Sequence, residues 1–150
     1  MITGIPQLSS EDKIKLENQI CFPLYSAANA VVRSYRPLLE KLDLTYLQYL
    51  TMMVLWSHDG INVKALGQNL HLDSGTLTPM LKRLEAKGLL IRKRGISDER
   101  VREVFLTASG KKLREHALSV PEAFACKFDI SFDELLQLKN LCEKIIQQVG

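Results

Sequence analysis

The chain has 150 residues, 46% of them hydrophobic, which suffices for one compact domain with a core and fits an ordinary globular protein. No apolar run approaches the ~18 residues needed to cross a bilayer, and the N-terminus lacks the basic, apolar and small-residue regions of a secretory signal; both point to the cytoplasm, with no membrane partner. The net charge of +3 is too mild to argue for nucleic acid by its sum. Three cysteines, Cys21, Cys126 and Cys142, do not make a permanent disulfide framework in a reducing compartment. No two of them stand two to four residues apart, so the common zinc patterns are excluded, no cofactor is expected, and any special role is a redox one.

In chain order, residues 10–42 read as helix, with kinks or boundaries expected at Pro23 and Pro37, because proline removes an amide donor and clashes with the preceding turn. Thr45 can cap a second helix whose apolar positions Leu47, Leu50 and Val54 follow the three-and-four spacing of a buried stripe, and Asp59-Gly60 ends it. A short apolar piece, 61–63, precedes a helix of about two turns over 64–70, too short to stand without a partner. The next helix supplies one: Asp73 or Ser74 can cap it, Leu77, Leu81 and Leu84 form its apolar stripe, and Gly88 sits at its C-terminal cap. The turn around His71-Leu72 joins the two into a helix-turn-helix. Then 89–94 and 104–107 read as two strands of a hairpin with a charged tip. Leu113, Ala117, Val120 and Phe124 mark a fifth helix, and Leu138, Cys142, Ile145 and Val149 a sixth. The fold class is mainly α with a small β-hairpin, an α+β chain without repeats or linkers.

Charge is distributed unevenly along this pattern. Residues 79–102 hold eight basic against three acidic side chains, a surplus of five, so the rest of the chain is net negative by two. Such concentration suits phosphate contact, with Lys82, Arg83, Arg94, Arg100 and Arg102 as its DNA-facing members. On the exposed side of the 74–87 helix stand Ser74, Thr76, Thr78, Lys82 and Arg83. Short hydroxyls near a helix N-terminus can approach base edges in a major groove, while longer cations further along reach phosphates. For the helix alone, a solvated face beside a core stripe accounts for the same residues equally well.

The hairpin breaks that tie. Asp98-x-Arg100 followed by Leu106-Thr107 resembles the wing signature D-x-R-x₅-L-T of the MarR family of winged-helix regulators. An arginine at a hairpin tip can enter the narrow minor groove, where the negative potential is strongest, while the aspartate fixes its orientation. The resemblance extends from about Ile20 to Ala125 and includes Leu70-x-Leu72-x-Ser74-x-Thr76-Leu77-Thr78 and Leu81-x-x-Leu84-x-x-x-Gly88-Leu89-Leu90. It implies one domain over 1–150, with a winged helix-turn-helix at 45–107 flanked by dimerisation helices in 1–44 and 108–150. It also implies a homodimer on a palindromic double-stranded DNA operator. The stripes of the last two helices fit dimerisation and fit an intramolecular core equally.

Cys21-Phe22-Pro23-Leu24-Tyr25-Ser26-Ala27 resembles the reactive-cysteine segment of the organic hydroperoxide resistance regulators, a branch of that family. The resemblance implies that an organic hydroperoxide oxidises Cys21, that Tyr25, Tyr35 and Tyr46 hydrogen-bond the thiolate, and that Cys126 of the partner subunit resolves the product as a disulfide. A helix N-terminus favours a thiolate, the form that reacts with peroxide. Whether Pro23 restarts a helix near Cys21 or kinks one begun earlier is open in the sequence. Cys142, on an apolar stripe, reads as a packed core residue. The expected function is a peroxide-sensing repressor that is not an enzyme. The alternatives are a MarR-type regulator that responds to a small aromatic ligand with inert cysteines and, last, a thiol peroxidase using Cys21 and Cys126.

Overall fold

The computed structural model describes residues 8–95 and 101–149. Ser9 caps a four-residue helix, α1 (Ser10–Lys13), by accepting from the Asp12 amide, and a 3-10 turn (Leu16–Asn18) leads into α2 (Cys21–Glu40). Pro23 therefore falls in the first turn of α2, where the missing N–H has no helical partner anyway. The helix restarts at Cys21 rather than bending there. At Pro37 the expected boundary is absent: α2 runs through it to Glu40, forfeiting one backbone bond near its end.

Helix α3 (Tyr46–Ser57) opens with a complete capping box between Thr45 and Gln48. Its buried face is not the Leu47, Leu50 and Val54 stripe, which is only half-buried, but Gln48, Tyr49, Thr51, Met52 and Leu55. The reason is its position, since α3 packs against α2, α4, α6 and strand β3 at once and hides side chains all along its length. Strand β1 (Ile61–Asn62) leads into α4 (Val63–Leu70), which Asn62 caps and which ends at His71 in the left-handed region. Helix α5 (Ser74–Ala86) buries Leu77, Met80, Leu81 and Leu84. It closes on Gly88 at φ +69°, with the Gly88 and Leu89 amides donating to the Glu85 and Leu84 carbonyls. That is a Schellman cap, which needs a residue free to adopt positive φ.

Strands β2 (Leu90–Arg94) and β3 (Arg102–Leu106) form the expected hairpin, and β1 adds a third strand, all antiparallel in the order β1-β3-β2. Gly110, in the first turn of α6 (Ala108–Ala117), lies so close to Leu89 that a Cβ there would stand 2.0 Å from its carbonyl oxygen. The single fifth helix is in fact two, α6 and α7 (Val120–Ala125), broken at Leu118-Ser119 where Pro121 enters the first turn of α7. Helix α8 (Phe132–Val149) ends the described chain, and none of its residues is buried. Cys142 is half-buried rather than a core residue, since no residue of α8 is buried by the described part of the chain. Among the described residues no helix is long and apolar enough to cross a membrane.

Candidate functional site

Asp73 starts α5 by accepting the Thr76 amide at 2.8 Å, and its second oxygen accepts the Thr76 hydroxyl at 3.2 Å. Backbone donation from Thr76 holds the Asp73 carboxyl below the ordinary carboxylate range. Thr76, Lys82 and Arg83 are exposed on the side of α5 away from Leu77, Leu81 and Leu84, and Thr78 is half-buried; Ser74 is exposed but, three, seven and ten residues before those leucines, falls on their face of the helix rather than opposite it. Arg94 and Arg102 stand opposite each other in the register of β2 and β3. Asp98 and Arg100 lie outside the described residues. Ser74, Leu72 and Leu77 share one cavity of about 1160 Å³ with Val101 and Arg102 at the root of the wing, and Thr78 and Arg102 line a second of about 390 Å³. The start of α5 and the root of the hairpin thus flank the same groove.

Not all of the basic cluster serves that surface. Arg92 is tied to Glu85 by side-chain bonds of 2.7 and 3.1 Å, which hold the Glu85 carboxyl below its usual range. Lys87 pairs with Asp43 at 3.1 Å and donates to the Asp43 carbonyl, so it fastens the end of α5 to the α2–α3 junction. Lys93 lies over the Phe105 ring at 5.4 Å. Leu106-Thr107 is structural: Leu106 is buried, and Thr107 caps α6 and donates to the Gly88 carbonyl at 2.6 Å. Sequence reasoning missed the Lys87 and Thr107 contacts, since neither spacing nor type announces a partner 44 or 19 residues away.

The thiol region is built on α2. Cys21 is the first helical residue and is exposed, and Tyr25, one turn later, is also exposed. Tyr35 stands about 21 Å further along the same helix at 1.5 Å per residue. There it packs against Tyr46 with ring centroids 4.8 Å apart and stacks on Phe124 of α7 at 3.8 Å. Burial, then the neighbouring Tyr46 and Tyr49, push the Tyr35 phenol up to about 12, and burial also raises Tyr46. Both rings remain neutral hydroxyl donors at physiological pH. Cys126 is exposed just after α7, and its neighbour Lys127 donates to the Ser34 carbonyl of α2 at 2.7 Å. The structure therefore gathers Tyr35, Tyr46 and the Cys126 segment at one level of α2, with Cys21 and Tyr25 at the other end. Among the described residues no group of His, Cys, Asp and Glu could hold a metal ion.

Comparison with known proteins agrees with this layout. The family model of the SarA/Rot transcriptional regulators matches residues 33–117. The organic hydroperoxide resistance transcriptional regulator of Bacillus subtilis (strain 168) is 45% identical over 136 residues, covering 91% of this chain and 92% of that protein. AbfR of Staphylococcus epidermidis, solved reduced and bound to DNA, superposes with a TM-score of 0.78 at 33% identity over 94% of this chain and 96% of its own. Disulfide-formed AbfR superposes with a TM-score of 0.59 at 33% identity over 93% and 92% of the two chains. MarR superposes with a TM-score of 0.67 at 25% identity over 84% and 96%. The chain belongs to the SarA/Rot family of transcriptional regulators, winged-helix proteins of the MarR type, and stands among them with the organic hydroperoxide resistance regulators.

Proposed function

We propose that this regulator is a homodimeric repressor that holds a palindromic operator through α5 and the wing, and releases it when an organic hydroperoxide oxidises Cys21. Residues 45–107 act as the winged helix-turn-helix, and 1–44 and 108–150 join the two subunits. Ser74, Thr76 and Thr78 face base edges, Lys82, Arg83, Arg94 and Arg102 face phosphates, and Arg100, oriented by Asp98, enters the minor groove. In the dimer the two α5 helices address half-sites about 34–36 Å apart. The structure of reduced AbfR is a complex with DNA, which supports this surface.

In the sensing step the Cys21 thiolate attacks the terminal peroxide oxygen and takes it as OH, the O–O bond breaks, and the departing alkoxide takes up the proton the thiol released and leaves as an alcohol. Cys21 is then a sulfenic acid. The thiolate of Cys126 of the partner subunit attacks the Cys21 sulfur, hydroxide departs and is protonated to water, and an S–S bond forms. The hydroperoxide gains two electrons and the two thiols lose them.

One observation carries the pairing between subunits. Lys127 and Phe124 fix Cys126 at the level of Ser34 and Tyr35, about 20 Å along α2 from Cys21 of the same chain. Disulfide partners need Cα atoms within about 7 Å, so a bridge inside one chain is out of reach. By the same measure Tyr35 and Tyr46 serve the Cys21 of the partner subunit, whereas Tyr25 sits one turn from its own. The better fit to reduced, DNA-bound AbfR than to the disulfide form supports a chain in the DNA-competent state. A Cys21→Ser protein is expected to bind its operator and ignore hydroperoxide in a mobility shift; a retained response removes Cys21 from the sensor.

A second reading is favoured by the cavity of about 1160 Å³ between α8 and the α4–α5 pair, whose walls include Val63, Leu72, Ile145 and Ile146. Such a space suits a small aromatic effector. Release of DNA by phenolic acids that survives Cys21→Ser would select that reading.

A further inference from the structure

We infer that Thr76 discriminates bases as a hydrogen-bond acceptor, because Asp73 takes its hydroxyl proton, and that the position it faces in each half-site is adenine or cytosine. The inference rests on α5 entering the major groove, as proposed above. The Thr76 Oγ1 donates to Asp73 Oδ2 at 3.2 Å, while Asp73 Oδ1 accepts the Thr76 amide at 2.8 Å. A carboxylate has no proton to give, and this one is held ionised by the backbone donors around it. The direction of the hydroxyl bond is therefore fixed by chemistry. Thr76 turns only lone pairs outward, from the third residue of an exposed helix N-terminus.

In the major groove only adenine N6 and cytosine N4 offer protons to an acceptor. Guanine presents N7 and O6, and thymine presents O4, all acceptors themselves. A hydroxyl free to rotate can serve either set, so an isolated threonine reads degenerately. Asp73 removes that freedom, and a helix cap thereby becomes a specificity determinant without touching the DNA.

The prediction is specific about two variants. In Thr76→Val the side-chain shape stays and the acceptor goes, so the preference at that base should fall roughly fivefold to tenfold, the scale of one hydrogen bond. In Asp73→Asn the amide oxygen still accepts the Thr76 backbone N–H, and asparagine caps helices as well as aspartate does. Its NH₂ then donates to Thr76 Oγ1, which frees the hydroxyl proton for the groove. The preference at the same base should broaden to admit guanine and thymine, because the hydroxyl then offers both a proton and a lone pair.

The experiment is selection from a randomised duplex library by the reduced full-length wild type, T76V and D73N, with sequencing of the bound pools and circular dichroism to verify the fold of each. Expected is a palindrome in which one symmetry-related pair of positions carries adenine or cytosine, relaxes in T76V and broadens to admit guanine and thymine in D73N. A wild-type preference for guanine or thymine at the position that T76V relaxes overturns the inference, as does a T76V pool identical to wild type or a D73N pool as restricted at that position as the wild type. If D73N fails to fold, the T76V comparison decides alone. Enrichment of no sequence by the wild type overturns the DNA-binding reading itself, and this inference with it.

Discussion

At Thr107 one side chain holds three elements together: it caps α6 by accepting the Gly110 amide at 3.0 Å and donates to the Gly88 carbonyl beyond α5, directly after strand β3. Replacing it with alanine loses the cap and leaves the Gly88 carbonyl without that donor. Thr107→Ala should destabilise the fold by about 1–2 kcal/mol in urea denaturation, with DNA affinity of the folded fraction unchanged. The Glu85–Arg92 pair predicts an acid response. Arg92 holds the Glu85 carboxyl below its ordinary 4.5, so the pair contributes stability above that pH and loses it as acid titrates the folded-state carboxylate. Glu85→Gln should therefore be less stable than wild type near neutrality, with the difference closing on acidification, as read from urea midpoints across pH. At the wing, Arg100→Ala should weaken operator affinity by about 1–3 kcal/mol and lower the salt slope by about one. The Asp73 cap and the Leu77, Leu81 and Leu84 stripe were legible in the sequence because each is local, set by a three- or four-residue spacing. Met80 was not, since its burial against the Thr51 hydroxyl, 3.3 Å from its sulfur, depends on where α3 lies.

Among the elements, α2 connects the thiol to the core. Its N-terminal three turns are largely exposed, with Leu39 its one buried residue, and Lys87 links the junction after it to the end of α5. A displacement of α2 therefore reaches α5 through both packing and an ion pair. The stack of Phe124 on Tyr35 docks α7, and with it Cys126, onto this helix. Phe124→Ala should cost about 2 kcal/mol in thermal or urea unfolding and should slow the Cys21–Cys126 reaction, because Cys126 loses its fixed station. The restart at Cys21 answered what the sequence left open, since Pro23 is compatible with a first turn and with a kink. The α6–α7 break was missed because the apolar spacing of Leu113, Ala117, Val120 and Phe124 continues across it, while Pro121 favours a new first turn.

For the whole molecule, the two uncovered apolar surfaces are decisive. Phe22, Leu24 and Tyr25 on α2 and Leu136, Leu138 and Leu141 on α8 are all at least 42% exposed, and contiguous exposed apolar side chains of this kind mark interaction surfaces. The sequence displayed the stripe of the last helix, through Leu138, Cys142, Ile145 and Val149, but could not say whether it closes on the same chain, because period marks a buried face without naming what buries it. With no α8 residue buried within the chain, a second copy is the natural cover. That arrangement would also meet the need of the proposed Cys21–Cys126 pairing for a partner's thiol, since the two stand about 20 Å apart along one α2. The direct test is to treat reduced wild type, Cys21→Ser and Cys126→Ser with an organic hydroperoxide, then measure operator binding by fluorescence anisotropy and resolve the same samples by non-reducing electrophoresis. The account predicts a dimer-sized covalent band and loss of DNA binding in the wild type, both reversed by dithiothreitol, with no such band in either variant. A covalent band that persists in Cys126→Ser, or an oxidised wild type that remains on its operator, would contradict it.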